Sequence, residues 1–301
     1  MKKETIIVAG FGPVGKAMKA ALGKKYNVRV ADPKMFDSSY DQNGKVIFDR
    51  SGPNISFSFS TVNHALEYSI HNNENVIGII CCVATPTNED GSCNVSNVEN
   101  IFKFAQINNL PVLVKSTVDI ETLVEWDNNI KLTFSPEFLS GSTNSDTVTQ
   151  YQSLNFEIYG SNVESYSRFW EAIFKDVVQR DHWIRTDLFS AAFAKYVENS
   201  YLAVRVTFFN EMKLAFSNIE SRLNVNSNNT SFNEMTRILG FDTRIGRSHM
   251  QVPGPDGKFG YGGHCLPKDT NALIKQAERG GFDMKLLKFV DTYNTDYFRG
   301  L

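Results

Sequence analysis

Ile6-Ile7-Val8-Ala9-Gly10-Phe11-Gly12-Pro13-Val14-Gly15 is the stretch that decides the fold of this chain. Four apolar residues read as a buried strand, and three glycines follow at once in the spacing Gly-x-Gly-x-x-Gly. A helical pattern opens behind them, and a second apolar run, Val28 to Ala31, ends at Asp32. A dinucleotide-binding βαβ unit needs this order: a tight turn, a close backbone approach to pyrophosphate, and a helix N-terminus aimed at the phosphates. Gly10, Gly12 and Gly15 are therefore expected to bind a cofactor. Asp32 can accept hydrogen bonds from ribose hydroxyls, and its charge would repel a 2′-phosphate, so the expected cofactor is NAD rather than NADP.

Working outward, Val76 to Val83, Pro111 to Lys115 and Lys131 to Phe134 read as further buried strands with helical stretches between several of them. That alternation predicts an α/β domain of Rossmann type with a parallel sheet. Leu154 to Tyr159 and a run near Val177 are expected to add later strands. The character changes after about Thr186. From Leu188 to Asn218 there is no proline or glycine, and apolar residues occur all round, which predicts one long, largely buried helix. Asn224 to Thr230 reads as a polar loop, Ser231 to Leu239 as a helix closed by Gly240, and two more helical segments follow Asp269 and Met284. The expected organisation is a dinucleotide-binding domain over residues 1–186 and an all-helical domain over 187–301.

Bulk properties bound the partners. A net charge of −2 gives no electrostatic reason to expect nucleic acid or an anionic membrane. No apolar segment approaches spanning length, and the short run after Met1-Lys2-Lys3 breaks at Gly10, so it reads as a first strand rather than a signal peptide. The cysteines are Cys81, Cys82, Cys93 and Cys265, with no CxxC pair and no Cys/His spacing for zinc, so no metal is expected. Reduced thiols of this kind fit a cytoplasmic protein.

Chemistry concentrates between Lys258 and Asp269, in Gly260-Tyr261-Gly262-Gly263-His264-Cys265-Leu266-Pro267-Lys268-Asp269. Glycines allow close backbone approach to a ligand, and a thiol beside cationic groups and a helix start is placed to be a nucleophile. Asp269 reads as the N-cap of the next helix. A buried structural cysteine is the alternative. Lys195 and Asn199, spaced i, i+4 on the long helix, share a face and can both donate to a developing oxyanion; a lysine reaching out to solvent is the alternative. Thr85-Pro86 and Ser116-Thr117 follow strands at the carboxyl edge, where open α/β sheets bind ligands. Glu137, in Ser135-Pro136-Glu137-Phe138, closes another strand and could act as a base toward water or substrate. A cradle for a dinucleotide, a loop thiol and a Lys/Asn pair suggest oxidation beyond the aldehyde, with the thiol capturing the aldehyde before a second hydride leaves.

With these segments in hand, the chain resembles the UDP-glucose/GDP-mannose dehydrogenase family, the UDP-glucose 6-dehydrogenases above all. The matching residues run from Gly10–Gly15 and Asp32 through Thr85-Pro86, Lys115-Ser116-Thr117, Ser135 to Leu139, Lys195 to Asn199 and Asp242 to Gly246 to Gly260–Asp269. The resemblance implies oxidation of a nucleotide-sugar C6 alcohol to the acid with two NAD. It makes Cys265 the covalent nucleophile, Lys195 and Asn199 the ligands of the C6 oxygen, and Asp269 a proton or water aid. Glu137 and Thr117 would serve thioester hydrolysis, and Thr117 would also touch the cofactor, as would Thr85 and Pro86. Glu137, Phe138, Leu139, Lys195, Asn199, Gly260, Gly262, Gly263 and Lys268 would line the sugar nucleotide, and Arg244 would reach it from a partner subunit. A homodimer through the long helix is thereby implied.

Two departures stand out. Ser140-Gly141 replaces a segment that usually includes a substrate-site glutamate, and Asp119 stands where a proline is usual. Family members also continue into another Rossmann-like domain that helps bind the nucleotide, whereas this sequence stops at Leu301, so it is expected to be either a reduced natural form or a truncated one. The other readings are a dehydrogenase of a different nucleotide sugar, such as GDP-mannose, and a non-catalytic NAD-binding or regulatory protein.

Overall fold

A computed structural model describes residues 4–33, 58–59, 61–139, 146–223 and 231–300. Ser140, Gly141 and the stretch 224–230 lie outside them. The chain forms two compact units, one mainly of 1–86, 93–140 and 144–194, the other mainly of 87–92 and 195–301.

In the first unit the order is β1 (Glu4–Ala9), α1 (Pro13–Leu22), β2 (Asn27–Ala31), β3 (Ser58–Phe59), α2 (Val62–His71), β4 (Asn75–Cys81), α3 (Ser96–Asn108), β5 (Val112–Val114), α4 (Ile120–Asp127), β6 (Leu132–Phe134), α5 (Thr147–Ser153), β7 (Phe156–Gly160), α6 (Glu164–Lys175) and β8 (His182–Thr186). The strands make one sheet in the order β3-β2-β1-β4-β5-β6-β7-β8. Its first six positions have the 3-2-1-4-5-6 arrangement of a Rossmann fold. The chain is thus an α/β protein of Rossmann type followed by a helical region, as the sequence predicts.

Local physics explains the elements. β1 is buried from Thr5 to Ala9, as a central parallel strand covered on both faces must be. Pro13 opens α1 at the one place in a helix where a missing N–H costs nothing. One apolar core holds Ile6, Val8, Met18, Leu22, Ile80, Leu113, Trp170 and Phe174 together. Gly78 is required there, since a Cβ would lie 2.8 Å from the Trp170 ring.

Three expectations need correction. The sheet is not wholly parallel, because β7 meets β6 antiparallel through Phe134 and Gly160. The run near Val177 is no strand: Val177 and Val178 both donate backbone N–H to Phe174 O, closing α6. The strand is β8, whose residues are exposed or half-buried throughout, so it lacks the apolar run that announces an inner strand.

Beyond β8 come α7 (Leu188–Arg222), α8 (Phe232–Leu239), α9 (Cys265–Arg279), α10 (Lys285–Asp296) and a 3₁₀ turn at Phe298–Gly300. With 35 residues, α7 is about 52 Å long. The expectation that it is largely buried is the third to fall. Lys195, Tyr196, Asn199, Ser200, Ala203, Thr207 and Asn210 are buried along one side, while Phe189, Phe193, Val197, Tyr201 and Phe208 are 40–57% exposed on another. The buried side is rich in polar groups and the exposed side is apolar, an inversion that a count of hydrophobic residues cannot reveal.

Candidate functional site

The expected dinucleotide cradle is built almost wholly from backbone. Gly10 N–H donates to Ala31 O at 2.8 Å, and Cys82 N–H donates to Ala9 O at 2.7 Å. Gly10 holds φ +90°, with Cys82 O only 2.5 Å from where a Cβ would stand, so glycine is demanded twice over. A Cβ on Gly15 would stand 2.0 Å from Gly10 O, so that position also requires glycine. Gly12 is the N-cap of α1, and among the described residues nothing lies within 4 Å of its Cβ position. That leaves open space at a helix start, where phosphate is favoured. Asp32 follows β2 and its Oδ2 accepts the Phe11 N–H at 2.6 Å, fixing the carboxylate beside the glycine turn. These residues fit a dinucleotide.

The carboxyl edge of the sheet carries the other expected residues of this unit. Thr85 is buried, and Pro86 O accepts the Asn94 N–H at 2.8 Å. Ser116 Oγ donates to Val83 O at 2.7 Å, joining the ends of β4 and β5, and Thr117 beside it is half-buried. Glu137 is half-buried and turns its carboxylate onto its own loop, accepting the Leu139 N–H at 2.7 Å. Phe138 packs against Phe156 with ring centroids 4.8 Å apart, and Leu139 lies against the main core. Beneath them sits a buried ionic group that the sequence reading did not single out. Lys115 Nζ donates to Ser135 Oγ at 2.8 Å and to Glu157, whose carboxylate also takes Tyr151 OH and Arg180 Nε. Lys115 and Glu157 are 2% and 3% exposed, so each is the other's replacement for water.

In the helical unit, Cys265 is the first residue of α9, with His264 as N-cap. Asp269 is therefore not the cap, which corrects the sequence reading; it lies one turn into the helix and is 1% exposed. The cause is that His264 already has helical dihedrals, so the glycine loop runs straight into the helix with no side chain capping it. The start of a 15-residue helix carries partial positive charge at the position of this thiol, which favours its thiolate. Cys265 itself is half-buried and not in a disulfide.

Asp269 joins α9 to α7. Its Oδ2 accepts Asn199 Nδ2, and its Oδ1 accepts Lys268 Nζ. Lys195, one turn before Asn199, is 5% exposed and donates to Glu198 at 2.9 Å, so it is held within the protein rather than reaching out to solvent. Asn199, Asp269 and Lys268 are thus brought together, with Lys195 on the same face of α7. Gly260, Gly262 and Gly263 lead into Cys265, and Gly260 and Gly263 have φ +71° and +76°. Arg244 stands apart, its side chain 87% exposed and paired with Asp242 at 2.6 Å. Among the described residues no cluster of three His, Cys, Asp or Glu could hold a metal, and no helix is long and apolar enough to cross a membrane.

Sequence reasoning missed the frame under the cysteine loop, made by Asn210, Asp291, Asn294 and Arg299. No local signal singles them out: Asn210 stands among Arg205, Thr207 and Glu211, so one more polar residue on that helix carries no mark of its role.

Comparison with known proteins is consistent with this geometry. Residues 189–296 match the model of the UDP-glucose/GDP-mannose dehydrogenase family, central domain. A UDP-glucose 6-dehydrogenase of Pseudomonas aeruginosa is 28% identical over 235 residues, covering 72% of this chain and 48% of the relative. One from Campylobacter jejuni is 32% identical over 206 residues, 64% of this chain and 47% of the relative. The chain spans about half the length of the curated relatives it matches. Among solved structures, a UDP-glucose dehydrogenase from Pyrobaculum islandicum has a TM-score of 0.67 at 21% identity, covering 97% of this chain and 68% of that one. A GDP-mannose dehydrogenase from Pseudomonas aeruginosa has a TM-score of 0.55 at 20% identity with the same coverage. At such identities the likeness speaks for the fold.

Proposed function

Because the chain belongs to the UDP-glucose/GDP-mannose dehydrogenase family, whose central-domain model matches residues 189–296, we propose that it oxidises the C6 alcohol of a nucleotide sugar, UDP-glucose first, to the carboxylate. The observation that carries this reading is Cys265 at the start of α9, one turn from a buried Asp269 that is tied to Asn199 of α7. In this reading residues 1–186 bind NAD and residues 187–301 carry the cysteine loop.

NAD held by Gly10, Gly12, Gly15 and Asp32 would supply the hydride acceptor for each of two oxidations. The chain supplies the rest. Lys195 and Asn199 donate to the C6 oxygen as negative charge grows on it, while Asp269 takes up or relays the hydroxyl proton. The Cys265 thiolate adds to the aldehyde carbon and the carbonyl oxygen becomes an alkoxide, giving a thiohemiacetal. Loss of the second hydride converts it to a thioester on Cys265. Water, ordered by Thr117 and activated by Glu137, attacks the acyl carbon; the C–S bond breaks, the carboxylate leaves and the thiol is restored. The sum is one alcohol, two NAD⁺ and one water giving one carboxylate, two NADH and three protons. Gly260, Gly262, Gly263, Phe138, Leu139 and Lys268 are the proposed sugar-nucleotide contacts.

The exposed apolar side of α7 supports a homodimer formed through that helix, with Arg244 reaching the partner's site. The decisive measurement is NADH yield from the purified chain with UDP-glucose, followed by GDP-mannose and N-acetylhexosamine nucleotides. Two NADH per sugar acid are expected. Cys265→Ser should stall the reaction at the aldehyde level; undiminished acid formation by that variant rules out the covalent route.

A further inference from the structure

Two buried asparagines have no part in the chemistry above. Asn210 on α7 is 1% exposed and Asn294 on α10 is 4% exposed. Asn210 Oδ1 accepts the Gly260 N–H at 2.8 Å, and its Nδ2 donates to Val206 O at 2.8 Å. Asn294 Oδ1 accepts the Tyr261 N–H at 2.7 Å, and its Nδ2 donates to Tyr261 O at 3.0 Å. The Asn294 amide thus satisfies both backbone groups of one loop residue, as a neighbouring strand would. Arg299 Nε donates to the same carbonyl at 2.9 Å, and Tyr261 OH donates to Asp291 at 2.9 Å. Gly260 lies so near that a Cβ there would stand 2.3 Å from Asn294 Oδ1.

Buried backbone groups must find partners. For Gly260 and Tyr261, which are both buried, the partners are these side chains. We propose that Asn210 and Asn294 are positioning residues that hold the glycine loop and thereby set where it receives the nucleotide sugar and presents Cys265. The identity of that ligand rests on the function proposed above; the clamp does not. Helix α7 contributes twice to the same stretch, with Asn199 on Asp269 and Asn210 on Gly260. Those two residues are three turns apart, about 16 Å along the axis and on one face. One rigid element therefore fixes both ends of the segment from Gly260 to Asp269. A purely structural role, fastening α10 to α7 around the apolar contacts of Ala203, Tyr261 and Val290, is the competing account.

The test uses the full chain as wild type, Asn294→Ala, Asn210→Ala and Asn210→Asp. It reads amide hydrogen exchange over 259–263, the rate at which iodoacetamide alkylates Cys265, the melting temperature, and KM and kcat with the nucleotide sugar the wild type oxidises. In Asn294→Ala the loop amides should exchange about tenfold faster, from two lost hydrogen bonds of ordinary net strength. Core amides of α9 should stay protected, the alkylation rate should change, and KM should rise by a larger factor than kcat falls. Asn210→Asp keeps an acceptor for Gly260 N–H and should restore much of the protection lost in Asn210→Ala. Unchanged loop exchange and alkylation in both alanine variants overturns the proposal. So does faster exchange that merely follows a falling melting temperature across the whole unit. If Asn294→Ala does not fold, the Asn210 pair decides. A wild type that oxidises no nucleotide sugar defeats the proposed function, while exchange and alkylation still judge the clamp.

Discussion

The two glycine loops of this protein do similar work by different means. Gly10–Gly15 leads into α1 and Gly260–Gly263 leads into α9, and each lies at a helix start. The first is framed by main chain: Ala31 O takes the Gly10 N–H, and Cys82 O closes the space over Gly10. The second is framed by side chains, with Asn210, Asn294 and Arg299 contributing from 50, 33 and 38 residues away in sequence. A main-chain frame comes with its strands, so the loop inherits the rigidity of the sheet. A side-chain frame can be undone one residue at a time, which makes it the more tunable of the two.

Perturbations should separate these designs. The largest effect is expected where the first region itself relies on side chains, at the Lys115–Glu157–Arg180 group. Lys115→Met leaves a buried carboxylate short of a partner and should cost about 3–5 kcal/mol in urea unfolding. A cost below 1 kcal/mol would mean that strand pairing alone holds that edge. Gly10→Ala comes next, at about 3 kcal/mol, because an unfavourable φ and a backbone clash act together and backbone cannot step aside. It should also abolish detectable NAD binding by calorimetry.

Gly262→Ala offers the contrast. Its Cβ would fall 1.7 Å from Arg299 Nη2, the far end of a flexible side chain. The change should cost only about 1 kcal/mol, and most of that should vanish when Gly262→Ala is introduced into an Arg299→Ala background and compared with Arg299→Ala alone. A penalty that survives removal of Arg299 would show the second loop to be as backbone-bound as the first.

The last contrast concerns the thiols. Burial under the first loop pushes the Cys81 thiol from 9.0 up to about 11. Once the pH passes 9 the unfolded chain sheds a proton that the folded chain keeps, so the folded state loses ground as pH rises toward about 11, with no such loss below 9. Urea unfolding at pH 8, 9 and 10 should show this slope. In the folded protein iodoacetamide should label Cys265 well before Cys81; the reverse order would break the contrast between an inert thiol and a reactive one.

The same difference governs what the sequence reveals. β1, the glycine turn and Asp32 are adjacent in sequence, and the strand alternation from Val28 to Phe134 speaks for a Rossmann sheet without tertiary knowledge. Lys195 and Asn199 are legible because i, i+4 spacing is a property of one helix. Asn210 and Asn294 are not, since the Gly260 and Tyr261 backbone that needs them lies in no periodic element and nothing local marks the meeting. β8 escaped for want of an apolar run. The capping role read for Asp269 failed because a carboxylate near a helix start looks the same whether it stands before the first turn or one turn inside it. For α7, composition gave the right element and the wrong environment, because its polar residues face inward.

That inward polarity has a consequence for the protein in a test tube. Phe189, Phe193, Val197, Tyr201 and Phe208 stand in water unless a second molecule covers them. If that molecule is another copy, the chain has no single melting temperature: it will melt higher in a concentrated stock than in a dilute assay, by mass action. Specific activity will then fall on dilution, and the strength of one helix's grip on its twin can be read from that curve alone.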